Sequence, residues 1–153
     1  MASLYPDGHK GGYQLPMKED KAYMSVGAFP CPVCKTEFRA LRIRDVKLIP
    51  LKVGELRTAY KDIEPLYYEI TTCPRCRYSA QTPLFDKLIN SRRTLILEAL
   101  APFLPALSPW SETPDCGGVF ERYYLALRCA RAGFSDAALI EAGLWMKLSG
   151  IYA

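Results

Sequence analysis

At 153 residues, half of them apolar, the chain has material for one ordinary domain or two small ones, and its net charge of +4 falls short of a dedicated nucleic-acid stripe. No apolar run is long enough to span a bilayer, and the start Met-Ala-Ser-Leu-Tyr-Pro-Asp-Gly-His lacks the basic-then-apolar order of a secretory signal, so a cytoplasmic protein is expected. Six cysteines without such a signal argue for metal binding over a disulfide scaffold.

The N-terminal stretch, with Gly8, Gly11, Gly12, Pro6 and Pro16, shows no sustained periodicity. Residues 1–28 are therefore read as an extended arm or lead-in strand, and His9, the single histidine, as a solvated loop residue. The first cysteine pair, Cys31-Pro-Val-Cys34, follows at once. From Phe38 to Val53, apolar Leu41, Ile43, Val46 and Leu48 alternate with Arg42, Arg44 and Lys47, which predicts a half-buried β ribbon with a slip near Asp45. A further strand is expected over Leu66–Thr72, running straight into Cys73-Pro-Arg-Cys76.

After Tyr78 the pattern turns helical. Thr82-Pro83 predicts a helix start, and Phe85, Leu88, Ile89, Leu95, Ile96, Ala99, Leu100 and Phe103 predict one apolar face ended by prolines. A Pro-, Ser- and Gly-rich loop containing Cys116 leads to a second helix over about Val119–Ala132, with Gly133 as its expected C-terminal cap and Cys129 as a core thiol. Ser135 is placed to cap a third helix that begins near Asp136, so the last two helices form an antiparallel hairpin. Between Ala137 and Leu148 only Glu141 and Lys147 are charged. So apolar a helix wants cover on more than one side, and Leu139, Ile140, Leu144, Trp145 and Leu148 are the candidate interface to a protein partner or a second copy.

The chemistry concentrates in the two Cys-x-x-Cys pairs. Each clip delivers two thiolates from one turn of backbone, proline after the first cysteine restricts that turn, and two clips can close around one tetrahedral ion. Cys31, Cys34, Cys73 and Cys76 are therefore the expected ligands of one structural zinc ion, with no position left open for catalysis. Lys35 and Arg77 stand where a knuckle usually turns through glycine, so two strained residues are expected there. Redox use would need an exposed low-pKa thiol at a helix N-terminus, and neither pair leads into a clear helix.

The excess positive charge lies in residues 31–79, where Arg39, Arg42, Arg44, Lys47 and Lys52 make the ribbon a candidate nucleic-acid surface. That segment has no aromatic after Phe38 to stack on bases, so a solvated basic face is the stronger reading. Phosphate-loop, dinucleotide-binding, zincin and nucleophile-elbow motifs are all lacking, and no catalytic residue or small-molecule substrate is assigned.

The order Cys31-Pro-Val-Cys34, Pro65-Leu-Tyr-Tyr-Glu69, Cys73-Pro-Arg-Cys76-Arg-Tyr-Ser-Ala80, followed by Glu121-Arg-Tyr-Tyr-Leu-Ala-Leu-Arg-Cys-Ala130 and Ala142-Gly-Leu-Trp-Met-Lys-Leu148, resembles the bacterial DUF2225 family, a domain of unknown function. The resemblance spans about residues 29–150 and departs at Lys35 and Arg77, where that family has glycine. It implies a zinc-ribbon-like module joined to tetratricopeptide-like helices, in the cytosol, without an assigned reaction.

The expectation is thus an α+β chain: an arm (1–28), a four-cysteine zinc ribbon with a small antiparallel sheet (29–80), and a three-helix, repeat-like part (81–153). Its expected role is a non-catalytic protein-binding or assembly module, with a nucleic-acid-binding ribbon as the alternative.

Overall fold

The cysteine pairs are the turns of two β-hairpins. The structure, a computed structural model, describes residues 4–9, 24–43, 50–53, 58–60, 65–110 and 116–152. Strand β1 (Met24–Pro30) pairs antiparallel with β2 (Glu37–Ile43), from Met24↔Ile43 to Pro30↔Glu37, so residues 31–36 are the connecting turn. A short hairpin, β3 (Pro50–Val53) with β4 (Thr58–Tyr60), carries a register shift between Pro50 and Lys52. Then β5 (Ile70–Thr72) pairs with β6 (Ser79–Gln81), ending at Thr72↔Ser79, and residues 73–78 are the second turn. Among the described residues the strands form three two-stranded antiparallel sheets.

Two expected elements are shorter than the sequence pattern suggests. Residues Pro65–Tyr68 form a 3-10 turn, and only Ile70–Thr72 extends as a strand. Leu66, Tyr67 and Tyr68 are all buried in this turn. The helix expected from Thr82 is broken into a 3-10 segment (Thr82–Lys87), a 3-10 turn (Asn90–Arg92) and an α-helix, α1 (Arg93–Leu100). Tyr78 Oη donates to the Phe85 carbonyl at 3.0 Å, the acceptor that a continuing helix would offer to Ile89. Leu88 and Ile89 are then extended; Leu88 turns into the core while Ile89 points to solvent.

Helices α2 (Cys116–Gly133) and α3 (Ala137–Tyr152) form the expected hairpin. Helix α2 starts earlier than expected, taking in Cys116, Gly117 and Gly118 rather than leaving them in the loop. It is the central beam, in contact with α1, α3, β5 and β6. Phe120, Tyr123, Leu125, Ala126 and Cys129 along it are all buried. One apolar cluster runs from Val33 and Tyr78 at the knuckles to Leu144 and Leu148 of α3, so the expected boundary at residue 80 crosses a continuous core. Among the described residues no helix is long and apolar enough to cross a membrane.

Gly133 has a different role from the cap expected of it. It is the last residue of α2 and its φ lies outside the left-handed region. A Cβ there would sit 2.8 Å from both Leu88 Cδ1 and Ile96 Cδ1, so glycine lets α2 approach α1 closely.

His9 is also not the solvated loop residue expected. Residues 4–9 lie on the helical hairpin, with Leu4 buried and Tyr5 stacked on His9 at 4.4 Å. The imidazole packs edge-on against Phe120 and Tyr124, and its Nδ1 is 2.7 Å from Tyr152 Oη, which in turn meets Tyr124 Oη at 2.7 Å. Desolvation holds the His9 pKa below its ordinary value.

Candidate metal centre

Each knuckle is closed by the same pair of backbone hydrogen bonds. Cys31 N donates to Thr36 O at 2.9 Å and Lys35 N to Cys31 O at 2.9 Å; Cys73 N donates to Tyr78 O at 2.9 Å and Arg77 N to Cys73 O at 3.0 Å. Turning so sharply requires a left-handed residue after the second cysteine, and Lys35 (φ 64°) and Arg77 (φ 67°) take that conformation, as the sequence predicts. Val33 N also points at Cys31 Sγ, at 3.4 Å.

The four sulfurs converge. Cys31 Sγ lies 3.6 Å from Cys76 Sγ, Cys34 Sγ lies 3.6 Å from Cys73 Sγ, and all four fall within 4.8 Å of one another. These spacings exceed a disulfide bond of about 2.05 Å. The two 3.6 Å spacings lie close to the edge of about 3.8 Å expected of a tetrahedron with metal–sulfur bonds of about 2.3 Å. Cys31, Cys73 and Cys76 are buried and Cys34 partly so. The donor set and the geometry thus fit one metal ion, with each knuckle contributing two ligands.

The thiols shift one another's acidity. Hydrogen bonds with the Cys31 and Cys76 thiols lower the pKa of Cys73 from the ordinary thiol value. Donating toward Cys73 pushes Cys31 up to about 11, and Cys76 is raised as well, first by its hydrogen bond with Cys31. A cation entering the cluster therefore displaces protons from the neighbours of Cys73. Cys129 is a separate case: fully buried on α2, it accepts a hydrogen bond from Ser79 N at 3.5 Å, and burial pushes its thiol up to about 12. It is a core thiol, as expected.

Several residues that position the knuckles carry no motif. Arg93 Nε, in the first turn of α1, donates to Val33 O at 2.7 Å. Lys35 Nζ reaches Asn90 Oδ1 at 3.3 Å. At the second knuckle Arg77 Nη2 donates to Ser108 O at 3.0 Å, Ser108 N donates to buried Glu121 at 3.1 Å, and Arg77 and Glu121 face each other at 3.8 Å.

The other candidate residues scatter. Arg39 is exposed on β2; Arg42 lies in the same strand at a register of opposite parity, and Lys52 lies in β3. Arg44 and Lys47 fall outside the described residues. On α3, Leu144 and Leu148 belong to the core at 1% and 0% exposure, and Ile140 packs partly against it, so these three are not the free face the sequence reading made of them. Helical geometry places them toward α2. Leu139 (74%) and Trp145 (41%) are exposed, as is Met146 (61%), which the sequence pattern does not single out.

A family model described as "Uncharacterized protein conserved in bacteria (DUF2225)" matches residues 27–153. The chain belongs to this family. No curated protein and no solved structure matches it. The match takes in both cysteine pairs and the three α-helices among the described residues of this DUF2225 member.

Proposed function

We propose that this protein is a non-catalytic binding module stapled by one structural zinc ion. The observation that carries the reading is the closure of four cysteine sulfurs within 4.8 Å, supplied as two knuckles from two hairpins. Four thiolates fill a tetrahedral shell and leave no position for water or substrate, so the ion's contribution is to folding, on the order of 10 kcal/mol. Zinc suits four sulfur donors without redox chemistry. The working surface is then the uncharged outer face of α3, where Leu139, Trp145 and Met146 stand in solvent. The hairpin of α2 and α3, resembling a tetratricopeptide unit, suits stacking against a neighbouring helical element.

Metal analysis of reduced protein is expected to return one zinc per chain, lost in the double substitution Cys34→Ser with Cys73→Ser. Substoichiometric metal in unoxidised protein would sink the staple. A pull-down from the native cell with Trp145→Glu as control tests the binding face, and an unchanged set of captured proteins would count against it. Nucleic-acid binding stays second, supported by exposed Arg39; a salt-dependent mobility shift abolished by Arg42→Ala plus Arg44→Ala would promote it.

A further inference from the structure

Arg93 is a cation on a face of α1 that otherwise turns to the core. It is the first residue of that helix, and Ile96 and Leu100, which follow at helical spacing, are both fully buried. Arg93 thus extends the buried stripe of α1 to the first knuckle, where its Nε donates to Val33 O at 2.7 Å. Among the described residues no carboxylate pairs with it: the ion pairs there are Arg77–Glu121, Arg131–Glu141 and Lys147–Glu69. A part-buried charge without a counter-charge is costly unless its surroundings supply one.

The hydrogen bond leads to a sulfur. Val33 O belongs to the peptide whose N–H is that of Cys34, and the N–H groups of Val33 and Cys34 are both directed at Cys31 Sγ, the first at 3.4 Å. A cation on a peptide carbonyl polarises the N–H of the same peptide, so Arg93 strengthens the Cys34 N–H as a donor to Cys31. The second knuckle has the same two amide donors, from Arg75 and Cys76 to Cys73 Sγ, but among the described residues no side chain donates to Arg75 O. The other cations of the knuckles are spent differently. Arg77 faces Glu121, while Lys35 and Arg75 are exposed and bonded to Asn90 and Thr36.

We propose that Arg93 is a positioning residue for the metal: acting through the Val33–Cys34 peptide, it offsets the negative charge that four thiolates place on the centre, and so tightens zinc binding. The proposal rests on the structural-zinc reading and assigns the residue that tunes that site. A divalent ion held by four thiolates carries a net double negative charge, and the proton-bearing thiols of the free protein carry less. A fixed cation beside the cluster therefore favours the loaded form over the free one. The polarised N–H also withdraws electron density from Cys31 Sγ. Outer-shell partners of this kind change metal affinity by about ten-fold or more when removed.

Two measurements on the full chain test this. Competition with a chromophoric chelator at one fixed pH gives the zinc affinity, and cobalt(II) loaded into the same four-sulfur shell reports on the sulfurs through its sulfur-to-metal charge-transfer band. Arg93→Gln keeps a hydrogen-bond donor and removes the charge; zinc binding weaker by about ten-fold and a charge-transfer band at longer wavelength are expected. Arg93→Lys keeps the charge and should recover most of both. Glu121→Ala is the control for a merely structural role, since it loosens the second knuckle without touching the Val33–Cys34 peptide. Its stability should fall further than that of Arg93→Gln while its band stays at the wild-type position. Zinc affinity of Arg93→Gln within about two-fold of wild type, or a band that does not move, overturns the proposal. So does a band shifted equally in Glu121→Ala, or an Arg93→Lys as weak as Arg93→Gln. Wild-type protein that takes up no zinc sinks the structural-zinc reading and this inference with it, whereas one zinc per chain held equally well without Arg93 sinks the inference alone.

Discussion

The two knuckles share a backbone and differ in what holds them. Both close with the same hydrogen bonds and the same left-handed residue, yet the second is built into the core. Tyr78 and Ser79 are fully buried, Ser79 N reaches Cys129 of α2, and Arg77 engages Ser108 and Glu121. The first hairpin sits further out. Its tip has the sulfur cluster, Arg93 on Val33 and Lys35 on Asn90, and just behind the turn the Phe29–Phe38 pair lies against Phe85. Both knuckles bury residues in the core, Val33 in the first and Tyr78 in the second, but the second has the more ties to α2 and the Ser108 loop.

Metal removal should expose that difference most strongly. Chelation is expected to raise amide exchange in residues 31–36 by orders of magnitude while β5, β6 and α2 keep most of their protection, because binding free energy of order 10 kcal/mol serves the tip that has least else to hold it. Equal loss in both knuckles would break the comparison. Acid should act the same way. Cys31, pushed up to about 11, is protonated at neutral pH without metal, so each proton displaced makes affinity rise with pH and fall on acidification. Zinc release followed by a chromophoric chelator between pH 8 and pH 5 checks the sign.

Next in size are the moorings. Glu121→Ala removes a buried acceptor from Ser108 N and leaves Arg77 without its carboxylate, a cost of about 2 kcal/mol. Arg93→Ala removes one charge-assisted bond to Val33 O at a partly exposed site, costing about 1 kcal/mol. Denaturant melts should rank them in that order, and the reverse ranking would place the greater tertiary support on the first knuckle.

How much of this the sequence carries depends on the range of the interaction. The four-cysteine cluster was legible because Cys-x-x-Cys is a local device, and so was the strain at Lys35 and Arg77. The α2–α3 hairpin was legible from Gly133, Ser135 and helical periodicity, although Gly133 turned out to serve close packing. What misled was apolar periodicity without its partners. The run from Phe85 to Phe103 looked like one helix because nothing local reveals that Tyr78 takes the Phe85 carbonyl. Likewise Leu144 and Leu148 looked free because their cover, α2, is fixed only by tertiary packing. The docking of His9 on Phe120, Tyr124 and Tyr152 joins residues over a hundred positions apart and leaves no local trace.

The smallest expected effects separate the knuckles most cleanly, because they start from matched strain. Lys35 and Arg77 hold φ of 64° and 67°, a conformation costing an L-residue about 1 kcal/mol that glycine avoids. Glycine also enlarges the unfolded ensemble, which offsets part of that relief. At Lys35 the side chain has one exposed contact, to Asn90, so Lys35→Gly should be neutral to stabilising by about 0.5 kcal/mol. At Arg77 the same relief is outweighed, since Arg77→Gly removes the bond to Ser108 O and the cation beside Glu121; a net loss of about 1 kcal/mol is expected. Thermal melts of the two zinc-loaded variants therefore should move in opposite directions, or one should stay still while the other falls. If both rise together, the Arg77–Ser108–Glu121 link contributes nothing, and the second knuckle is held by its metal as much as the first.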